Sequence, residues 1–270
     1  LLFVEGRLEV SLLGGVLRCQ ISDYHGSKAT LAPRVRDARH RNIAAAYVRD
    51  RDFDHEPPGA AERGAPSVDK RDEKGGILGW RWCRHSIESY LLDPAIVEAA
   101  TGWARGDYEG KLVAAARRIR HYEAARWVIG QLRPPERFEL TTAPDDCAGR
   151  EFRIPDDVGE AACSAWLAAH VQAYETRILE ATSRRRMEAL HRDFAARFED
   201  AALDVAAALD LCSGKDLFTA LGPRIQWDRT RRAWDPAAFR ELLATWVADH
   251  PEEALAALPE WKAFRDILRA

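Results

Sequence analysis

The chain has 270 residues, of which 47% are hydrophobic and 31% charged, with a formal net charge of −3. That balance excludes a disordered, collagen-like or low-complexity chain, and no apolar run approaches the ~18 residues of a spanning helix. The near-neutral total means that a nucleic-acid partner would have to meet a local basic footprint.

Residues 1–4 form an apolar run without the basic flank of a secretory signal. It reads as a core strand whose upstream residues are missing or trimmed. Leu8, Val10, Leu12 and Leu13 then fit a short helix ending at Gly14-Gly15. Residues 16–21 are expected as a second strand, 25–27 as a turn, 28–41 as a helix and 43–48 as a third strand. This alternation predicts a parallel sheet with helices on its faces. Residues 55–78 carry Pro57-Pro58-Gly59, Gly64, Pro66 and Gly75-Gly76 and read as a mobile loop, either a substrate lid or a tolerated insertion. A fourth strand is expected over 80–83 and a short helix over 86–92, with Ser86 as its cap; Asp93-Pro94 opens the next helix.

From residue 95 the pattern is helical: an amphipathic stretch over 111–132, a connection over 138–155, long helices over 158–182 and 184–211, and shorter ones over 235–249, 251–258 and 261–268. The fold class is therefore α/β, with a Rossmann-like unit over 1–95 followed by a mostly α-helical region over 96–270. Cys19, Cys83, Cys147, Cys163 and Cys212 are odd in number and form no CxxC pair. Reduced thiols in a cytoplasmic chain follow.

Acids fall just after the expected parallel strands: Glu5 after the first, Asp50 and Asp52 after the third, and Asp54 two residues on. Ligands of open α/β sheets bind outside the carboxyl ends of strands. Adjacent strands lie ~4.8 Å apart, so these carboxylates can converge, and converged carboxylates repel unless they share a cation. Mg²⁺ or Mn²⁺ suits such oxygen donors and supports phosphoryl transfer. His85, near Glu88, can orient an attacking water or serve structurally. Gly214-Lys215 is not a phosphate-binding P-loop, because Asp216 replaces Ser/Thr and Leu209 stands where Gly is required. Arg117-Arg118 with Arg120, Arg184-Arg185-Arg186, and Arg229 with Arg231-Arg232 are either solvated helix faces or holders of a phosphate backbone. Trp80, Trp82, Trp227 and Trp234 either stack on bases or fill the core.

Phe3-Val4-Glu5-Gly6, Val48-Arg49-Asp50-Arg51-Asp52-Phe53-Asp54 and His85-Ser86-Ile87-Glu88-Ser89-Tyr90-Leu91-Leu92 resemble the Toprim domain. The likeness is to nucleases of the overcoming-lysogenisation-defect (OLD) type and to Toprim effectors encoded beside AAA- or ABC-type ATPases in bacterial phage-defence loci. It covers residues 1–95, with a weaker echo at Ser213-Gly214-Lys215-Asp216-Leu217-Phe218. The resemblance implies Glu5 as metal ligand or general acid/base, Asp50 and Asp52 as metal ligands, Glu88 as a supplementary helix-borne acid, and Lys215 as a stabiliser of phosphate charge. Asp54 and Glu9 are secondary candidates. Arg7 stands where the family often has Lys, and Glu9 where it usually has Asp. The domain also occurs in topoisomerases and primases, so it implies a metal site and not one reaction.

These readings lead to a Mg²⁺- or Mn²⁺-dependent nuclease acting on DNA or RNA, the effector of an antiviral defence system with an ATPase partner, no membrane contact, and Ala-rich helices able to pair in a homo-oligomer. The alternative is a non-catalytic Toprim-fold partner of an ATPase. Nucleotidyl transfer is weaker, since no nucleotide pocket is identifiable.

Overall fold

A computed structural model describes residues 1–23, 28–59, 63–132, 159–222 and 235–269. The expected turn at 25–27, the connection at 138–155, Cys147, Trp227, Trp234 and the cluster at Arg229, Arg231 and Arg232 lie outside them. The architecture is α/β around a five-stranded sheet of order β2-β1-β3-β5-β4. Strands β1 (Leu2–Val4), β2 (Ile21–Asp23), β3 (Ala46–Arg49) and β5 (Ile77–Arg81) are parallel, and β4 (Ser67–Arg71) runs antiparallel on β5.

Side-chain alternation divides the two faces of the sheet. Phe3 and Tyr47 join Leu31, Ala32, Val35 and Ala38 of α2 (Leu31–His40) in a small cluster. Leu2, Val4 and Val48 point the other way, into a larger core. That core holds Leu12, Leu13 and Val16 of α1 (Arg7–Leu17) and Phe239, Leu243, Trp261 and Phe264 from α10 (Pro236–Asp249) and α12 (Pro259–Arg269).

Several expectations are corrected. Helix α1 passes through Gly14-Gly15 and ends at Leu17, where Arg18 turns the chain at φ 53°. Val16 and Leu17 therefore belong to a buried helix face, and β2 begins only at Ile21. The loop expected over 55–78 contains β4 and the start of β5. Asp72 closes their turn by accepting from the amides of Lys74 and Gly76, with Gly75 at φ 83°. Strand β4 escaped notice because Asp69, Lys70 and Arg71 make it polar, as an exposed edge strand tends to be. Strand β5 ends at Arg81, and Trp82 and Cys83 continue beyond it. The single helix expected over 184–211 is two, α7 (Arg184–Arg197) and α8 (Val205–Leu211), the second capped by Asp204 at the Ala207 amide.

Between β5 and α7 lie α3 (Ile87–Leu91), α4 (Pro94–Thr101), α5 (Arg105–Leu132) and α6 (Glu160–Ala181); α9 (Gly214–Leu221) and α11 (Pro251–Ala257) complete the order. Glu260 of α12 reaches back to accept from the Cys83 amide at 2.8 Å and from the Tyr90 hydroxyl. Trp80 and Trp82 are buried, so they fill the core and offer no stacking face. Among the described residues, no helix is long and apolar enough to cross a membrane.

Candidate metal centre

Glu5 follows β1 and Asp50 follows the adjacent β3, so both stand at the carboxyl edge of the sheet. The Asp50 amide donates to Glu5 Oε1 at 2.8 Å. The Asp50 carboxylate is buried and its Oδ1 accepts from the Ile87 amide at 2.8 Å. Asp50 thereby serves the start of α3, the role expected of Ser86, whose buried hydroxyl finds no hydrogen-bond partner.

The loop beyond Asp50 is clamped from below. Arg51 is 1% exposed and donates to the carbonyls of Cys83, His55 and Asp210. Asp52 sits at φ 48°, a left-handed conformation that Asp tolerates better than most residues, and its amide donates to His85 O at 2.8 Å. Phe53 is held by α5: a Cβ on Gly130 would lie 2.5 Å from Phe53 O, and Gln131 Nε2 donates to that oxygen at 2.9 Å.

Glu88 joins this rim from α3. It is 4% exposed; its Oε1 lies 3.4 Å from Lys215 Nζ, and its Oε2 is buried without a hydrogen-bond partner. Gly214 makes the approach of Lys215 possible, since a Cβ there would stand 2.6 Å from Ser89 N and 2.8 Å from Glu88 Cβ. Glu9, in the first turn of α1, is also buried.

The cation that meets the acids is Lys28, which the sequence reading passed over as part of a helix. Its ammonium pairs with Asp52 and lies 3.7 Å from Glu5 Oε1 and 3.9 Å from Asp54 Oδ2. The usable signal was its position after β2, the strand beside β1. Sequence reasoning also missed Glu123 and Arg126 of α5. Glu123 accepts from the Ser213 amide at 3.1 Å, and Arg126 pairs with Asp216. Their helical spacing was visible, but not what they would touch.

His85 is 2% exposed, its ring edge-on to Phe53 at 4.3 Å and to Trp127 at 5.9 Å. Neither ring nitrogen has a hydrogen-bond partner, and Nδ1 lies 4.0 Å from Asp52 Oδ1. Burial pushes its pKa down to about 3, so the imidazole is neutral.

Burial raises the pKa of Glu5 against the pull of Lys28. Burial, with Glu5 and Glu88 nearby, lifts Glu9 to about 7. Asp50 stands well above the usual carboxylate range through burial and the charges of Glu5, Glu9, Asp52 and Glu88. Burial would raise Asp52 too, but the Lys28 ammonium holds it below its ordinary value. Glu88 in turn raises Lys215.

Asp52, Phe53, Asp54, His85, Ser86, Arg126, Ser213 and Lys215 line a cleft of about 200 Å³. Its lining thus combines the acids Asp52 and Asp54, the cations Arg126 and Lys215, and the neutral His85. An all-oxygen donor set, an unpartnered buried Glu88 oxygen and mutually repelling acids fit a hard divalent ion. Among the described residues, however, no three His, Cys, Asp or Glu side chains are gathered closely enough to hold an ion as they stand.

The expected residues are thus brought to one rim: Glu5, Asp50, Asp52 and Asp54 directly, Glu88 with Lys215 beside them, and Glu9 and His85 at the margin. No family model matches the chain, and no curated protein or solved structure does.

Proposed function

We propose that the chain is a divalent-metal-dependent nuclease that hydrolyses phosphodiester bonds of DNA or RNA. The observation that carries this reading is the meeting of Glu5, Asp50, Asp52 and Glu88, from three separate stretches of chain, at the carboxyl edge of a mostly parallel sheet, with one Glu88 oxygen buried and unpartnered. Glu5, Asp50, Asp52 and Glu88 would hold Mg²⁺ or Mn²⁺. The ion, when bound, would lower the pKa of a coordinated water and offset charge on the phosphate.

The chain's own residues do the rest. Arg126 and Lys215 line the cleft with Asp52 and Asp54 and offset the charge that develops on the phosphoryl oxygens. Neutral His85, its Nδ1 4.0 Å from Asp52 Oδ1, would orient a water. Asp50 and Arg51 fix the acidic loop to α3 and α8, so the carboxylates are positioned before substrate arrives. Together with the Toprim resemblance, this supports an OLD-like effector of bacterial anti-phage defence, cytoplasmic and working with an AAA- or ABC-type ATPase.

A second reading, a non-catalytic Toprim-fold partner of such an ATPase, draws on one observation: the Lys28 ammonium already stands among Glu5, Asp52 and Asp54 and offsets part of their charge. Calorimetric titration with Mn²⁺ separates the two. The nuclease reading expects binding, and cleavage of plasmid DNA or total RNA that is lost in Glu5→Ala and Asp50→Ala. Absence of Mn²⁺ binding, or cleavage unchanged in both variants, overturns it.

A further inference from the structure

Three side chains on α5 share a face outside the acid rim. Arg118, Tyr122 and Arg126 recur every four residues, so they stand in one row about 12 Å long. Tyr122 is 58% exposed, and Ile129, two turns along, is 60% exposed. Both are open on a helix that otherwise buries Trp127, Val128 and Ala124.

The row leads into the cleft. The Arg126 guanidinium carbon lies 5.3 Å from the Tyr122 ring centre and 4.4 Å from that of Phe53. Arg126 lines the cleft with Asp52 and Lys215, and Gly130 seats the same helix on Phe53. At the other end Arg118 is exposed, its Nη1 donating at 3.5 Å to Ala220 O. Arg117 and Arg120 pair with Asp200, and Arg126 with Asp216, a partner that a phosphate would have to displace. Arg126 covers one face of the Tyr122 ring and leaves the other for a base, and Arg118 stands one turn away for a phosphate, which matches the chemistry of a nucleotide chain.

We infer that Arg118, Tyr122 and Arg126 form a track for single-stranded nucleic acid that delivers one strand into the cleft. An unpaired base stacks on Tyr122, and the phosphates on either side meet the two arginines. A paired base has its faces covered by its neighbours, so the track selects unpaired strands over duplex. The inference rests on the nuclease reading of the cleft and narrows its substrate.

The test is fluorescence anisotropy of end-labelled twelve-nucleotide DNA and RNA strands and of the matching duplexes, in EDTA so that no cleavage occurs. The wild-type chain is expected to bind the single strands on the order of tenfold more tightly than the duplexes. Tyr122→Ala loses about tenfold for single strands and little for duplex, whereas Tyr122→Phe keeps the preference. Arg118→Gln flattens the slope of log affinity against log salt by about 0.7 for one lost phosphate contact. Tyr122 is exposed, so its removal leaves folding intact. Equal affinity for both forms, or Tyr122→Ala binding like wild type, overturns the track. The same strands incubated with Mn²⁺ test the cleft separately. Selective binding without cleavage leaves the track standing and removes the nuclease reading, and cleavage without selectivity does the opposite.

Discussion

Glu5 and Asp50 are joined through a backbone amide: Asp50 N donates to Glu5 Oε1 at 2.8 Å, while the Asp50 carboxylate turns away to the Ile87 amide. A buried acid and a half-buried one thus stand side by side with repulsion only partly offset. Neutralising one should stabilise the metal-free fold. Asp50→Asn keeps an acceptor for Ile87 and removes the charge. We expect its melting temperature to rise by about 2–4 °C, the shift associated with roughly 1 kcal/mol, while Mn²⁺ binding disappears from calorimetry. A lower melting temperature would show that the charge itself stabilises the loop.

The raised acids also set a pH dependence. Glu9 is lifted to about 7 and, chiefly by burial, Glu123 to about 8, both above their unfolded values near 4.5. The folded chain therefore binds more protons than the unfolded one, and stability falls as pH rises through these values. His85 works in the opposite sense, but its contribution is complete above its unfolded value of 6.5. Between pH 6.5 and about 8 the metal-free protein should lose stability in urea titrations, and the loss should level off above that. Glu123→Gln should flatten that decline; an unchanged slope would locate the effect elsewhere.

Lys28 supplies the positive charge that Glu5, Asp52 and Asp54 share. A divalent ion would compete with it for the same oxygens. Lys28→Ala should lower the melting temperature of the metal-free protein and tighten Mn²⁺ binding severalfold by calorimetry. Weaker binding in the variant would mean that Lys28 helps to build the site instead of guarding it.

Gly214 lets α9 touch α3. A methyl group there meets the Ser89 amide nitrogen and the Glu88 side chain, so Gly214→Ala must push the two helices apart. Overpacking of this kind costs about 1–3 kcal/mol. The variant should also separate Lys215 from Glu88 and lose more activity than Lys215→Gln alone, a comparison read from cleavage rates. Equal losses would confine the effect to the lysine.

The strand-end rule made Glu5, Asp50 and Asp52 legible, because it needs only the position of a strand and the residue that follows it. Helix α10 was legible through Asp235-Pro236, whose capping oxygen and fixed φ act locally. What escaped depends on distant partners. Strand β4 is polar because only its edge pairing defines it. The Ser86 hydroxyl fits a cap by sequence, but Asp50 reaches the Ile87 amide from another strand. Lys28, Glu123 and Arg126 carry ordinary helical spacing, and their meaning comes from what the fold sets opposite them.

Glu260, in α12, accepts from the Cys83 amide and the Tyr90 hydroxyl, on the segment that carries Glu88. In the order of synthesis that acceptor emerges after nearly everything it braces. The segment that carries Glu88 therefore stays without this brace until Glu260 has been synthesised. Ribosome-stalled chains that stop before Pro259 should be far more susceptible to protease around residues 83–90 than released ones.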